Sequence, residues 1–333
     1  MNKQYPIFTK TDEKDPEIWK PRGWIGRFYK LFSNLQFTRK ELRLSEDLCV
    51  IQTDLRHGHI KISGLIDPGR LTISFYDGSD HTKLSGKSVD ASKMVISYNG
   101  CRWDAASKSP ASSFVVNFSE NLSEQIVSKQ GHEFLMGAAH NRSGERISIV
   151  SASTPSGDKL KHAIKSCIKF TENDQESEKV EGLSNWMSED LISLASCLIS
   201  EVSGEDIDVA TRGEASRYSL ASNIEKLLWI DPANEEAGSL TLDGIASRFK
   251  CSRRQIQASI LEHYGIGFVE LKRSIRLYQA HEKIKDMSSY KNISSVACAY
   301  EFDHLSRFSQ YYKEMFGILP SKHLQKVRRD LSE

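Results

Sequence analysis

The front of the chain alternates between short apolar runs and turn-forming residues. From about Leu35 to Ser153, turn signals such as Asp67-Pro68-Gly69 and Asn99-Gly100 separate the runs. The runs that predict strands are Leu48–Leu55, His59–Ile66, Arg70–Phe75, Lys93–Tyr98, Phe114–Phe118 and Arg146–Val150. Many short strands at such spacings predict an antiparallel barrel or jelly roll, with a short helix near Leu122–Lys129.

Beyond Ser156 the apolar residues recur every three or four positions, which is the spacing of a helix that buries one face. One stripe includes Leu160 and Ile164, and a second runs from Trp186 to Ile199. Amphipathic helices between two domains pack either on their own chain or against a sister subunit, so both a monomer and a homodimer stay open.

The polar stretch Glu205–Gly213 predicts a flexible linker, and a helix from about Glu214 to Trp229 follows it. A first unit of two helices then spans 242–264. Its short helix, Leu242–Phe249, ends at a turn, and Ser252 is a suitable N-cap for the second helix. This is the helix-turn-helix layout, whose second helix enters the major groove of DNA.

A second unit with the same layout spans 293–316. Its helices are predicted at Ile293–Tyr300 and His304–Met315, and Gly317 ends the second. The residues expected to form its buried stripe are Phe302, Leu305, Phe308, Tyr312 and Phe316. A helix over Phe268–Lys285, about 27 Å long, would join the two units. Adjacent major grooves on one face of DNA lie about 34 Å apart, so one chain could place a helix in each.

Polar residues remain on the outer face of each second helix. In the first unit they are Arg253, Arg254 and Gln257, with Ala258 beside them. Arg can pair with guanine and Gln with adenine, so this face suits base recognition. The alternative, a solvated face of a helical bundle, competes with this interpretation for either unit alone but explains the pair poorly.

The region from about Thr241 to Leu324 resembles the DNA-binding domain of AraC/XylS-type transcriptional regulators. The segments that carry the resemblance are Ser252-Arg253-Arg254 with Ile256, Gly265, Arg276-Leu277 with Ala280, and Phe302 through Leu305-Ser306-Arg307-Phe308 to Phe316-Gly317-Ile318-Leu319-Pro320-Ser321. The resemblance implies base reading by Arg254, Gln257, Ala258, Ser306, Arg307, Ser309 and Gln310. Phosphate contact or positioning is expected from Ser252, Arg253, His304 and Lys313.

Two positions depart from the family pattern. Ala258 stands where members often carry Arg, and Glu301 stands where Gly is usual, which adds a negative charge near the DNA face. The stretch "SRRQIQASILEHYGIG" is also similar to some ethanolamine-operon regulators, including the Ala at 258.

The resemblance also implies an effector or oligomerisation module in front, often a cupin-like barrel. Arg102 and Trp103, beside a predicted turn, either pack at the end of a strand or contact an effector, and they are the candidate effector contacts. His57-Gly58-His59 resembles the paired histidines of metal cupins but lacks the Glu that should follow, so we expect neither a metal nor another cofactor. The sequence contains no recognisable nucleophile elbow and no assignable carboxylate pair, so no motif in it indicates an enzyme.

Composition fits this picture. The 333 residues are 39% hydrophobic and 27% charged, and they contain neither a membrane-spanning apolar run nor a signal peptide. The six cysteines form no CxxC pair. A cytoplasmic protein is therefore expected. Residues 241–333 hold 16 Lys and Arg against 10 Asp and Glu, whereas residues 1–240 hold 29 against 34. A basic end on an otherwise acidic chain favours a polyanionic partner for that end.

The predicted organisation is an N-terminal arm (1–34), a β-rich effector or oligomerisation domain (35–155), a helical connector (156–213) and a DNA-binding domain (214–333). The basic aromatic segment Lys20–Phe32 of the arm could lie on nucleic acid or a membrane surface, or pack on the next domain. The expected function is an effector-responsive regulator, more often an activator, whose partners are double-stranded DNA and RNA polymerase. The alternatives are an enzyme, or an interaction scaffold whose helical domain does not read DNA.

Overall fold

In the computed structural model, two antiparallel β-sheets are followed by a helical region. The structure describes residues 5–13, 24–31, 35–77, 82–98, 100–137, 147–173, 180–203, 211–232, 234, 240–286 and 292–330. The strands are β1 (Ile7–Glu13), β2 (Trp24–Lys30), β3 (Gln36–Arg43), β4 (Leu48–His57), β5 (His59–Ile66), β6 (Leu71–Asp77), β7 (Thr82–Leu84), β8 (Lys87–Val89), β9 (Lys93–Tyr98), β10 (Arg102–Lys108), β11 (Ala111–Phe118) and β12 (Ile147–Ser151). The helices are α1 (Glu120–Ile126), α2 (Lys129–Gly137), α3 (Pro155–Asn173), α4 (Val180–Val202), α5 (Arg212–Leu228), α6 (Leu242–Phe249), α7 (Arg253–Tyr264), α8 (Phe268–Lys285), α9 (Ile293–Ala299), α10 (Leu305–Phe316) and α11 (Pro320–Asp330).

The two sheets form the β-rich front domain, which we call the barrel. The larger has the strand order β1-β3-β4-β11-β6-β9-β12, and the smaller has the order β2-β5-β10-β7-β8. Neighbouring strands run antiparallel throughout. The predicted fold class, an antiparallel barrel or jelly roll before an all-α C-terminal region, is confirmed.

Alternation along the central strand β11 explains how the larger sheet is covered. Phe114, Val116 and Phe118 are buried in the main core, whereas the residues between them are partly exposed toward the barrel interior. Helices α3 and α4 pack on the core side, with Leu160 and Leu191 fully buried. The connector helices therefore share the core of the barrel, and most of the amphipathic stripes predicted for them pack on their own chain, although Trp186 is 64% exposed.

The N-terminal segment, predicted as an arm, contributes two strands to the sheets. β1 pairs with β3 at the edge of the larger sheet, and β2 pairs with β5 in the smaller one. The local pattern of Lys20–Phe32 predicts a basic aromatic arm because its aromatic and basic residues lack strict alternation. Its place in a sheet is set by pairing with β5, about 35 residues later along the chain, and that partner is not visible in the local pattern. Residues 14–23 and 32–34 lie outside the described residues.

Several local predictions also need adjustment. The sequence pattern does not predict β3 and β10, because polar residues interrupt the alternation of apolar and polar positions in both. These strands form by pairing with their neighbours in the sheets. Residues 205–210 of the predicted linker lie outside the described residues, and Arg212 already belongs to α5. Among the helices described, none is both long and apolar enough to cross a membrane.

The helical region is attached to the barrel. Leu31, at the end of β2, is fully buried in the same hydrophobic cluster as α5, α7, α8 and α10. The Ser274 hydroxyl of α8 donates a hydrogen bond to the Leu31 carbonyl oxygen over 2.9 Å. α7 contacts β10 directly.

Candidate nucleic-acid interface

The first helix-turn-helix unit has the caps that its sequence predicts. α6 ends at Lys250, which adopts a left-handed conformation with φ of 51°, and Ser252 begins α7. The Ser252 hydroxyl accepts the Gln255 amide while the Gln255 side chain accepts the Ser252 amide, a reciprocal capping box. Gly265 ends α7 in the left-handed conformation, as predicted.

The predicted reading face of α7 is open to solvent. Arg253, Arg254, Gln257 and Ala258 are exposed, whereas Ile256 is fully buried against the unit's core. The Arg253 guanidinium forms an ion pair with Asp243 of α6, so a phosphate contact by Arg253 would have to exchange this exposed partner. Arg254 is exposed and has no ion-pair partner within the described part of the chain.

The second unit presents a similar face on α10. Exposed polar residues along it are His304, Ser306, Arg307, Gln310 and Lys313, and Ser309 is half-buried beside them. The Gln310 side-chain amide donates to Glu314 over 3.0 Å on the same helix. Leu305, predicted in the buried stripe, is instead 44% exposed, because it occupies the first turn of α10, beyond the reach of the core. Phe308 and Tyr312 are fully buried.

The charge of Glu301 is balanced within the domain. Glu301 adopts φ of 66°, a conformation that favours the glycine usual here, and its carboxylate lies 3.0 Å from Arg276 Nε and 3.2 Å from Lys272 Nζ of α8. Arg276 also donates to the carbonyl oxygens of Leu228 and Ile230, each over 3.0 Å. The ion pairs thus hold a non-glycine residue in the turn and tie it to the end of α5.

The helix α8 joins the units and anchors the second one. His281 Nδ1 lies 2.7 Å from the Tyr312 hydroxyl, which lies 2.6 Å from His323 Nδ1 of α11. The three side chains are buried and link α8, α10 and α11. The second reading helix is therefore held by a polar contact as well as by its apolar stripe.

Inside the barrel lies a cavity of about 90 Å³ with mostly apolar walls. Ile60 and Ile62 of β5 and Trp103 and Ala105 of β10 form one wall, with hydroxyl groups of serines and threonines between the sheets. Arg39 is a buried charge at its edge, and burial lowers its pKa even though Glu41 accepts a hydrogen bond from it over 2.5 Å.

The structure separates the two candidate effector contacts. Trp103 lines the cavity, whereas the exposed Arg102 faces a cleft between β10 and α5. His57 and His59 flank Gly58, which has φ of 96° where the chain passes from β4 of the larger sheet to β5 of the smaller one, so they do not share one strand face. Within the described ranges, no group of three or more His, Cys, Asp or Glu residues could hold a metal ion.

Sequence reasoning missed a cluster of buried charged groups between the barrel and the helices. We call it the interface cluster; it consists of Lys61 (β5), Asp104 (β10), Glu225 (α5), His263 and Tyr264 (α7). Lys61 is fully buried and forms an ion pair with Asp104, and its Nζ lies 3.6 Å from a Glu225 oxygen. Tyr264 donates to Glu225 over 2.6 Å, and His263 Nε2 lies 3.3 Å from Asp104. The only signal in the sequence is a charge placed between apolar residues, as in "HIKIS" and "RWDAA".

Lowering the pH from 7 to 5 should destabilise the protein through its buried histidines. Burial lowers the pKa of His263, which faces Asp104, Lys61, Glu225 and Tyr218, and burial likewise lowers the pKa values of His59 and His323. The unfolded chain then binds protons first, from about pH 6.5 downward, so the free energy of unfolding should fall as the pH drops through that value.

Thermal unfolding at a series of pH values measures this effect. His263→Gln should flatten part of the decline between pH 7 and 5. A melting temperature that stays constant or rises over that range would contradict the assignment of neutral buried histidines.

Comparisons with known proteins agree with the C-terminal geometry. Residues 245–326 match the family model described as a helix-turn-helix domain. No curated protein matches the chain. Several solved structures are similar to this chain. Three of them cover between 35% and 92% of it, and all three have TM-scores below 0.3.

ToxT from Vibrio cholerae bound to (E)-4-(8-methylnaphthalen-1-yl)but-3-enoic acid is 14% identical, covers 92% of this chain and 100% of its own, and has a TM-score of 0.29. Unsaturated fatty acid bound ToxT from Vibrio cholerae is 15% identical over 84% of this chain and 95% of its own, with a TM-score of 0.28. The C-terminal domain of AraT, a response regulator from Geobacillus stearothermophilus, is 22% identical over 35% of this chain and 88% of its own, with a TM-score of 0.27. TM-scores this low support no conclusion about shared architecture or ligand.

The family match spans most of the first unit, the joining helix and the whole second unit. Both units have a turn residue with positive φ, Lys250 and Glu301, and an exposed polar face on their second helix. Residues 245–326 of this chain are therefore an AraC-type helix-turn-helix domain.

Proposed function

We propose that this chain is a sequence-specific transcription regulator that reads two adjacent major grooves of DNA with α7 and α10. One observation carries the proposal: two helix-turn-helix units, each with an exposed polar face on its second helix, are joined by the single helix α8. Its 18 residues span about 27 Å, against about 34 Å between adjacent grooves, so moderate DNA bending would let both helices bind.

The roles of the side chains follow from where they lie. Arg254, Gln257, Ser306, Arg307 and Gln310 are exposed near the starts of their helices, where base edges come within reach. Ala258 and the half-buried Ser309 complete the proposed base-reading set. The residues proposed to contact phosphate are Ser252, Arg253, His304 and Lys313.

The barrel is proposed to supply the signal. Its mostly apolar cavity suits a small effector, with Trp103 in the wall, and the proposed domains at 35–155, 156–213 and 214–333 would assign sensing to the first and DNA reading to the last. The connector helices leave Trp186 64% exposed and Phe170 39% exposed, which supports a homodimer through that surface. As an activator in the cytoplasm, the protein would contact RNA polymerase as well as DNA.

Replacing Arg254 or Arg307 with alanine should relax discrimination at one or two base pairs of the target, by about 1–3 kcal/mol for each bidentate pairing with a base that the substitution removes. Genomic fragments retained by the purified chain would define the target, and titrations against target and scrambled duplexes would measure the discrimination. Affinity for both duplexes should also fall steeply as salt rises, because phosphate contacts release counterions.

A matched control is Arg217→Ala, which removes an exposed arginine of α5 that pairs with Glu262 outside the reading faces. It should leave discrimination unchanged. If the Arg254 and Arg307 variants discriminate like the parent, the reading residues are misassigned. A folded parent that shows no salt-dependent DNA binding would favour the scaffold alternative.

A further inference from the structure

The strands β5 and β10 present different surfaces on their two faces. They pair antiparallel, with Ile62 opposite Ala105 and Lys61 opposite Ala106. Because side chains alternate along a strand, each residue that points away from the cavity lies between two residues that line it. Lys61 lies between the cavity-lining Ile60 and Ile62, and Asp104 lies between the cavity-lining Trp103 and Ala105.

The outer face of this strand pair holds the first reading helix. Asp104 contacts His263 of α7, and Lys61 lies against the ring of Tyr264, with its Nζ 5.1 Å from the ring centroid. Glu225 of α5 completes the contact by accepting the Tyr264 hydroxyl. These groups are nearly inaccessible to water, so only a narrow range of geometries satisfies them.

The docked helix keeps its reading face free. His263 and Tyr264 occupy the last turn of α7, whereas Arg254 and Gln257 are exposed near its start. The barrel therefore contacts the end of α7 that DNA would not touch. A docked α7 can therefore still read bases. Docking also restricts the motion of α7, so less conformational freedom would be lost on DNA binding.

We propose that the β5–β10 pair couples the cavity to the first reading helix: a molecule in the cavity shifts these strands and, through Lys61 and Asp104, changes the position of α7. This rests on the proposed function and names its route of regulation. A displacement of the strand pair is passed to the helices because Lys61 and Asp104 are held on the outer face by Glu225, Tyr264 and His263, so these partners move with the strands. By linkage, cavity occupancy and DNA affinity then alter each other by the same factor.

Two substitutions test the coupling in the full-length protein. Asp104→Asn keeps the shape of the side chain and leaves Lys61 with Glu225 as a balanced pair, so the variant should fold. Ala105→Leu places three extra carbons into the cavity wall and substitutes for an occupant. Each should change affinity for the target duplex by roughly 5–150-fold, with Asp104→Asn weakening it, and both should alter amide hydrogen exchange in the last turns of α7.

The decisive measurement is non-additivity. In the Asp104→Asn background, Ala105→Leu should change DNA affinity and α7 exchange by less than it does in the parent, because the contact from Asp104 to His263 of α7 is weakened. Tyr264→Phe, which removes only the hydroxyl donated to Glu225, provides an independent break if Asp104→Asn does not fold. Asp77→Asn is the matched control: it removes a carboxylate that joins the barrel to Lys161 and Lys165 of α3, and it should leave α7 unchanged.

Full additivity of the two substitutions, or α7 exchange that neither alters, would overturn the coupling. So would Asp104→Asn binding the target as tightly as the parent. Exchange in α7 needs no DNA, so the coupling can fail while selective DNA binding stands. Conversely, a parent chain without selective DNA binding would overturn the proposed function but leave the exchange result interpretable.

Discussion

Replacing Lys61 with methionine should lower the free energy of unfolding by about 3–5 kcal/mol, as expected when one partner of a buried ion pair is removed. Lys61 is fully buried, and it is the cation that faces both Asp104 and Glu225 in the interface cluster. Methionine fills similar volume, so packing changes little. The loss comes from two carboxylates left close together without a counter-charge in a dry environment.

Chemical denaturation of the full-length variant measures this loss. The triple variant Lys61→Met, Asp104→Asn, Glu225→Gln removes the charges together and should recover much of the stability, because no charge is then left buried. If Lys61→Met alone unfolds at the same denaturant concentration as the parent, the cluster is not buried in solution as it is in the structure.

Replacing Arg276 with methionine should also lower the free energy of unfolding, by about 1–3 kcal/mol, because a buried carbonyl oxygen is left without its donor. The Arg276 side chain is only 2% exposed, and its guanidinium satisfies two carbonyl oxygens at the end of α5 as well as Glu301. Without it, the buried Leu228 carbonyl oxygen loses the Arg276 donor, the Ile230 carbonyl oxygen keeps only the Gln279 amide at 3.5 Å, and Glu301 keeps Lys272 as its remaining cation in the second turn. DNA affinity should fall too, because this turn sets the angle of α10.

Arg217→Met is the matched control for the unfolding measurement. It removes an arginine 46% exposed that pairs with Glu262, and it should cost no more than about 1 kcal/mol. Arg276→Lys should fall between the two variants, because an ammonium keeps the charge but cannot reach all three acceptors in one plane. Equal stability of the Arg276 and Arg217 variants would show that the carbonyl contacts contribute little.

The helical region could be predicted closely because its signals are local. Ser252, Gly265 and Gly317 fix helix ends within a few residues of themselves, and the structure places each where its cap chemistry requires. The departure at Leu305 has a physical cause: helical periodicity shows which face a residue lies on but not how far along the helix the core extends.

The barrel could be predicted only as a class. Its register depends on partners far apart in sequence, such as β2 with β5 and β1 with β3. The interface cluster was beyond sequence reasoning for the same reason. A lysine between two isoleucines predicts a strand with one solvent-exposed face. That face is buried only because α7 packs against it.

The helix α5 has a consequence for building chimeric regulators. Within six residues, Glu225 contacts the barrel lysine and Leu228 and Ile230 contact Arg276, so this short segment is shared by sensor and reader. A cut at 213/214 would give the helical fragment Glu225 but leave Lys61 and Asp104 behind. A foreign sensor grafted at that junction should therefore work only if it brings its own basic and acidic pair to meet α5 and α7.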